Sequence, residues 1–79
     1  PEPEYQALYD AVWSLPRNQR LAVDLYYFEG YSTAELAALL GTREATVRTW
    51  LRRGRETLKT ILEQEGYGHE AVGDLQADG

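Results

Sequence analysis

Read for the spacing of its apolar positions, the chain divides into four helical stretches followed by a polar end. Tyr5, Leu8, Tyr9, Val12 and Trp13 recur at helical spacing, which predicts an amphipathic first helix over residues 4–14. Leu15-Pro16 ends it, because the residue before a proline is pushed out of the helical region. Pro16 suits the start of a second helix, Arg17 to Glu29, and Gly30 suits its stop. Between Leu21 and Phe28 only Asp24 is polar. A helix apolar nearly all round needs neighbours on more than one side, or a partner.

The next two stretches are shorter and longer versions of the same idea. Ser32 followed by Glu35 has the form of a capping box, and Leu36, Leu39 and Leu40 recur behind it with small Ala34, Ala37 and Ala38 between them. Gly41 suits the left-handed residue that ends a helix, and Thr42 is the expected cap of the next one. In that fourth helix Val47, Leu51, Gly54, Leu58 and Ile61 share one face, with Trp50 at its margin. A helix of about two turns, a tight turn and a longer helix is the sequence form of a helix-turn-helix. The expected fold is therefore all-α, a four-helix domain over residues 4–62. Residues 1–3 are expected to be a linker end and residues 63–79 a flexible acidic tail.

Charge sharpens this picture. The chain as a whole carries a net charge of −5, which at first argues against a nucleic-acid partner. That figure averages three unlike segments. Residues 1–40 hold two Arg against six acids, residues 41–59 six Lys/Arg against two acids, and residues 60–79 five acids with no Lys or Arg. Charges beyond about 10 Å are screened at ordinary salt, so a DNA duplex senses the local field of the fourth helix. Arg48, Arg52, Arg55 and Lys59 form a line along one flank of its outer surface. Arg53 lies on the other flank, with Ala45, Thr49 and Glu56 between. Small residues between flanking cations let a helix approach bases while the arginines reach base edges and phosphates. The alternative for any lone basic helix is a solvated face. Second place in a helix-turn-helix favours DNA.

These motifs, in this order, resemble domain 4 of bacterial sigma factors, in particular the extracytoplasmic-function (ECF) group. The resemblance rests on Leu15-Pro16, Glu29-Gly30, Ser32, Glu35-Leu36-Ala37, Leu40-Gly41, Thr46-Val47-Arg48 and Arg53-Gly54-Arg55, and it covers about residues 4–62. It implies recognition of the −35 promoter element on double-stranded DNA, with Thr42, Arg43, Glu44, Ala45, Thr46, Arg48, Thr49, Arg52, Arg53, Arg55 and Lys59 as the expected contact set. Arg48, Thr49 and Arg52 are expected at base edges, and Arg53, Arg55 and Lys59 at phosphates. It also implies that the helices before the fourth meet the β flap of RNA polymerase or an anti-sigma factor. Tyr5, Tyr9, Tyr26, Tyr27 and Phe28 are candidates for that surface, the simpler reading being core packing. Three departures stand out. Thr42-Arg43 replaces the usual apolar-Ser pair, and Ala45 a common Gly. Gly54 replaces a common Ala at about 1 kcal/mol of helix propensity, which points to close packing against a neighbouring helix.

Other classes fare worse. Seventy-nine residues make one small domain with one core. The absence of cysteine removes disulfides and thiolate metal sites and fits a reducing, cytoplasmic setting. His69 is the only histidine, read as a solvated tail residue. No metal, cofactor or nucleophile–base pair is expected, so neither is catalysis. No apolar run approaches the roughly 20 residues of a membrane span, and no signal-peptide pattern opens the chain. Beginning at Pro1, the chain is expected to be part of a longer one. Two alternatives stay open: the effector domain of a response regulator, which shares the four-helix layout, and a sigma-like module that binds protein rather than DNA.

Overall fold

The computed structural model describes residues 3–66, and these are helical nearly throughout. Helix α1 spans Pro3–Trp13, α2 Arg17–Val23, α3 Thr33–Leu40 and α4 Glu44–Gln64. The long α4 is the centre of the packing and touches each of the other three. The expectation of a flexible acidic tail over residues 63–79 mostly lies outside the described residues, as does His69. Glu63 and Gln64 form the last turn of α4, and Gly66 comes after it with φ +86°.

One core holds these helices together. Ala11, Val12 and Leu15 from α1 and its exit, Ala22 and Val23 from α2, Leu36 and Ala37 from α3, and Val47, Leu51, Leu58 and Leu62 from α4 are all buried. Gly54 belongs with them, and the reason is the close approach anticipated from its place on the inner face. A Cβ built there would lie 2.7 Å from Val23 Cγ2 and 3.6 Å from Gln19 Cβ. Glycine lets α2 lie against α4 nearer than any side chain would permit. Trp50 is half-buried and packs on this core, and so does Ile61.

Two faces differ from the expected stripes. In α1 the inward set is Leu8, Ala11, Val12 and Leu15, while Tyr5, Tyr9 and Trp13 stand four residues apart on the flank. Tyr5 is 55% and Trp13 59% exposed. In α3 the inward direction runs between Leu36 and Ala37, some 100° apart on the helix, with Leu40 between them. Leu39 points away and is 58% exposed.

The second helix is not α-helical to its end. After Val23 it widens into a π turn, Asp24–Phe28, closed by the Glu29 N–H donating to Asp24 O at 3.2 Å. Leu25, Tyr26, Tyr27 and Phe28 are four successive half-buried residues packed on the core. A regular helix turns 100° per residue and spreads four such side chains around its circumference. The wider turn rotates less per residue, and all four side chains reach the core. Gly30, at φ +84°, then reverses the chain, with Tyr31 N–H donating to Leu25 O at 3.0 Å.

Candidate nucleic-acid interface

Helices α3 and α4 are set by the local signals between residues 32 and 44. Ser32 Oγ accepts from the Glu35 N–H at 3.0 Å while Glu35 Oε1 accepts from the Ser32 N–H at 2.9 Å, so the capping box is complete. The backbone N–H of Ser32, and then its hydroxyl, hold the Glu35 carboxyl below its ordinary pKa. At the other end Gly41 is left-handed, at φ +66°, and the Thr42 N–H donates to Ala37 O at 2.9 Å. This paired closure absorbs Thr42 into the end of α3.

The cap of α4 is therefore corrected. The extended residue before α4 is Arg43, at φ −96° and ψ 153°, and no side chain caps the helix there. Arginine carries no acceptor, so it cannot take an N–H as a threonine would. The first residue of α4, Glu44, instead ties the two helices together. Its Oε1 accepts from Thr33 Oγ1 at 2.9 Å and stands 3.7 Å from Arg48 Nη1. An acidic residue in the first turn also complements the helix dipole.

Along the flank of α4 the expected cations do line up. Arg48, Thr49, Arg52 and Arg55, with Tyr26, Thr33 and Leu51, line a groove of about 410 Å³. Arg52, Arg55, Glu56 and Lys59 line a second recess of about 200 Å³ that continues the row towards the end of the helix. Arg48 and Arg52 are exposed, while Arg55 and Lys59 are half-buried. Arg55 Nη1 donates to the Tyr27 hydroxyl at 3.0 Å, which steadies the guanidinium against the π turn. Thr49 Oγ1 donates to Ala45 O at 3.1 Å, so its hydroxyl proton is used within the helix.

The remaining expected residues are more scattered. Arg43, Glu44 and Ala45 are exposed at the start of α4, Thr42 and Thr46 are half-buried, and Arg53 is exposed but lines neither recess. Tyr26, Tyr27 and Thr33 belong to the groove or its support and were not in the expected set. Tyr27 and Arg55 are 28 residues apart, and no local pattern announces their pairing. Thr33 could have been suspected, because it sits next to the cap of the helix that precedes α4.

A second surface lies on the other side of the π turn. Phe28 makes edge contacts with Tyr5 at 6.5 Å and Tyr9 at 5.9 Å between ring centroids, and Tyr9 leans on Trp13 at 6.5 Å. The Arg20 guanidinium lies 5.3 Å from the centre of the Trp13 ring. The result is a continuous aromatic strip with a cation at one end. Among the described residues no group of three or more His, Cys, Asp or Glu could hold a metal ion.

A Ser-capped helix, a left-handed glycine turn and a longer basic helix make this a helix-turn-helix domain. More narrowly, the description "Sigma-70, region 4" matches residues 5–58, and the chain belongs to that family. Among curated proteins it is 38% identical over 61 residues to the probable RNA polymerase sigma factor RfaY of Xanthomonas campestris pv. campestris, covering 77% of this chain and 15% of that protein. It is 44% identical over 52 residues to the ECF RNA polymerase sigma factor SigE of Mycolicibacterium smegmatis, 66% of this chain and 20% of that one. It is 38% identical over 66 residues to the ECF RNA polymerase sigma factor SigM of Mycobacterium tuberculosis, 84% of this chain and 32% of that one. The chain thus spans at most about a third of the length of these relatives. No solved structure matches it. The family match favours the sigma expectation over the response-regulator one, and the family is one of transcription factors rather than enzymes.

Proposed function

We propose that this domain binds promoter DNA in a sequence-specific manner, laying α4 in the major groove at a −35-type element as the region 4 part of an ECF-type sigma factor. The observation that carries this reading is the row Arg48, Arg52, Arg55 and Lys59 lining two joined recesses on the second helix of a helix-turn-helix. Arg48, Thr49 and Arg52 lie early on the outer face and read base edges. Arg53, Arg55 and Lys59 lie later or on the flanks and meet phosphates, Arg55 in the orientation that Tyr27 supports. Arg43, Glu44, Ala45 and Thr46 form the leading end of the helix, with Thr42 in the turn before it. RNA polymerase is the protein partner, and the setting is the cytoplasm. No helix among the described residues is long and apolar enough to cross a membrane.

The test begins by selecting duplexes from a random pool and measuring affinity on the selected site and on random sequence. Arg52→Ala costs about 1–3 kcal/mol on the selected site and relaxes the preference at one position. Lys59→Ala weakens all duplexes alike. Equal losses on both kinds of DNA for both variants would remove the division between reading and anchoring. A pool from which nothing is enriched would remove sequence-specific binding altogether.

The aromatic strip favours a second, compatible reading. Tyr5, Tyr9 and Trp13 are exposed on a helix that does not touch the groove, which suits a surface for the polymerase β flap or an anti-sigma factor. Binding of a flap fragment that is abolished by Tyr9→Ala and Trp13→Ala, with DNA affinity unchanged, is the expected result. DNA affinity that falls in parallel would assign the strip to the DNA side instead.

A further inference from the structure

We infer that Glu44 and Arg48 act together as the reader of one C·G base pair, and that the Thr33 hydroxyl aims them. This role rests on the DNA reading above and adds to it the identity of a base pair. Three side chains form a relay across the turn of the helix-turn-helix. Thr33, the first residue of α3, donates through Oγ1 to Glu44 Oε1 at 2.9 Å, and Glu44 is the first residue of α4. The same oxygen stands 3.7 Å from Arg48 Nη1, one turn further along α4. Both contacts fall on Oε1, so Oε2 keeps its acceptor capacity. Thr33 and Arg48 line the larger recess, which puts the carboxylate they share at its rim, at the leading end of α4.

Stability is a poor account of this relay. The Glu44 and Arg48 side chains are 47% and 61% exposed, and an ion pair so open to water contributes little to a fold. Its effect is to order two long side chains before a duplex arrives, which lowers the entropy lost on binding. A carboxylate entering the major groove is selective because it can only accept. Guanine N7 and O6 and thymine O4 are acceptors and repel it, and adenine N6 has the N7 acceptor beside it. Cytosine N4 is an amino donor with no acceptor next to it on the same base. Arg48 has the opposite polarity. Its Nη1 faces Glu44, and the guanidinium has further N–H donors for guanine O6 and N7. The protein thus sets an acceptor beside a donor, and a C·G pair sets a donor beside acceptors.

The experiment selects duplexes from a random pool with the parent chain, Glu44→Gln, Thr33→Val and Thr33→Ser, and counts base preference at every position. Thermal melting checks that each variant is folded. The parent is expected to favour C·G at one position by roughly five- to hundredfold. A glutamine amide donates as well as accepts and pairs with adenine N6 and N7, so Glu44→Gln is expected to move that one position from C·G to A·T. Thr33→Val removes the hydroxyl at nearly constant volume. It is expected to cut the C·G preference at the same position severalfold, with affinity for random duplex unchanged. Thr33→Ser keeps the donor and is expected to keep the preference. If Glu44→Gln selects the same site as the parent, the base assignment is overturned while the DNA reading stands. Valine and serine variants that behave alike overturn the positioning role of Thr33. Glu44 is exposed, so its variant decides the base assignment even where a change at half-buried Thr33 unsettles α3. A parent chain that enriches no site ends the DNA reading, and this role with it.

Discussion

At position 54 the packing of the domain comes down to one missing methyl group. Alanine is the better helix former there by about 1 kcal/mol, yet its Cβ would lie 2.7 Å from Val23 Cγ2. Val23 is fully buried, and its β-branched side chain is stiff at χ1. Overpacking of this kind costs about 1–3 kcal/mol, so Gly54→Ala is expected to be destabilising on balance. The Val23→Ala, Gly54→Ala double variant is expected to be more stable than the two single changes predict, because it removes the collision. Denaturant unfolding of all four proteins checks this, and a Gly54→Ala protein more stable than the parent would refute the close approach. Trp50 gives a contrasting case at the other margin of the same face. It is half-buried against the core and lines neither recess, so Trp50→Ala is expected to lower Tm before it alters any DNA preference. A variant of full stability that had lost DNA binding would mean that the ring meets the duplex.

At the scale of the element, the capping box of α3 makes stability depend on acid. Glu35 accepts the Ser32 N–H as a carboxylate, and its pKa is held below the ordinary 4.5. Its contribution is fully present above that ordinary value and is lost as pH falls through the lowered one. Glu35→Gln keeps an acceptor without the titration, so its unfolding midpoint is expected to fall less steeply below about pH 4.5 than that of the parent. Parallel curves would mean that the carboxylate gains nothing in the fold. Ser32→Ala, which removes the other half of the box, is expected to cost about 0.5–2 kcal/mol at neutral pH. This motif was fully legible in the sequence, and so was the glycine stop, because both are decided within four residues. The basic row was legible for the same reason, since helical spacing alone puts Arg48, Arg52, Arg55 and Lys59 on one flank. The start of α4 was not, because the closure of α3 takes the Thr42 N–H and moves the cap one residue on. Nor was the outward turn of Leu39, since three leucines within five residues leave the inward direction to be decided by α4. The π turn and the Tyr27–Arg55 bond depend on contacts distant in sequence, which no local spacing contains.

For the whole molecule the governing fact is the division of charge, six Lys/Arg and two acids over residues 41–59 within a chain of net −5. If α4 neutralises about four phosphates, affinity is expected to fall on the order of a hundredfold between about 50 and 200 mM salt. A titration series on one duplex measures that slope, and a flat response would exclude the phosphate contacts assigned to Arg55 and Lys59. Between the basic groove and the aromatic strip stands the π turn, and it belongs to both. Tyr26 and Tyr27 face the groove and its arginines, while Phe28 holds the strip together through Tyr5 and Tyr9. A chain one residue shorter between Asp24 and Phe28 would close as ordinary helix and set the remaining side chains of the turn at about 100° per residue, changing which of them meets the groove and which the strip. In heredity this separates two kinds of change. By substitution, each surface can drift while the other is kept. By loss of a single codon at this turn, they can only change together.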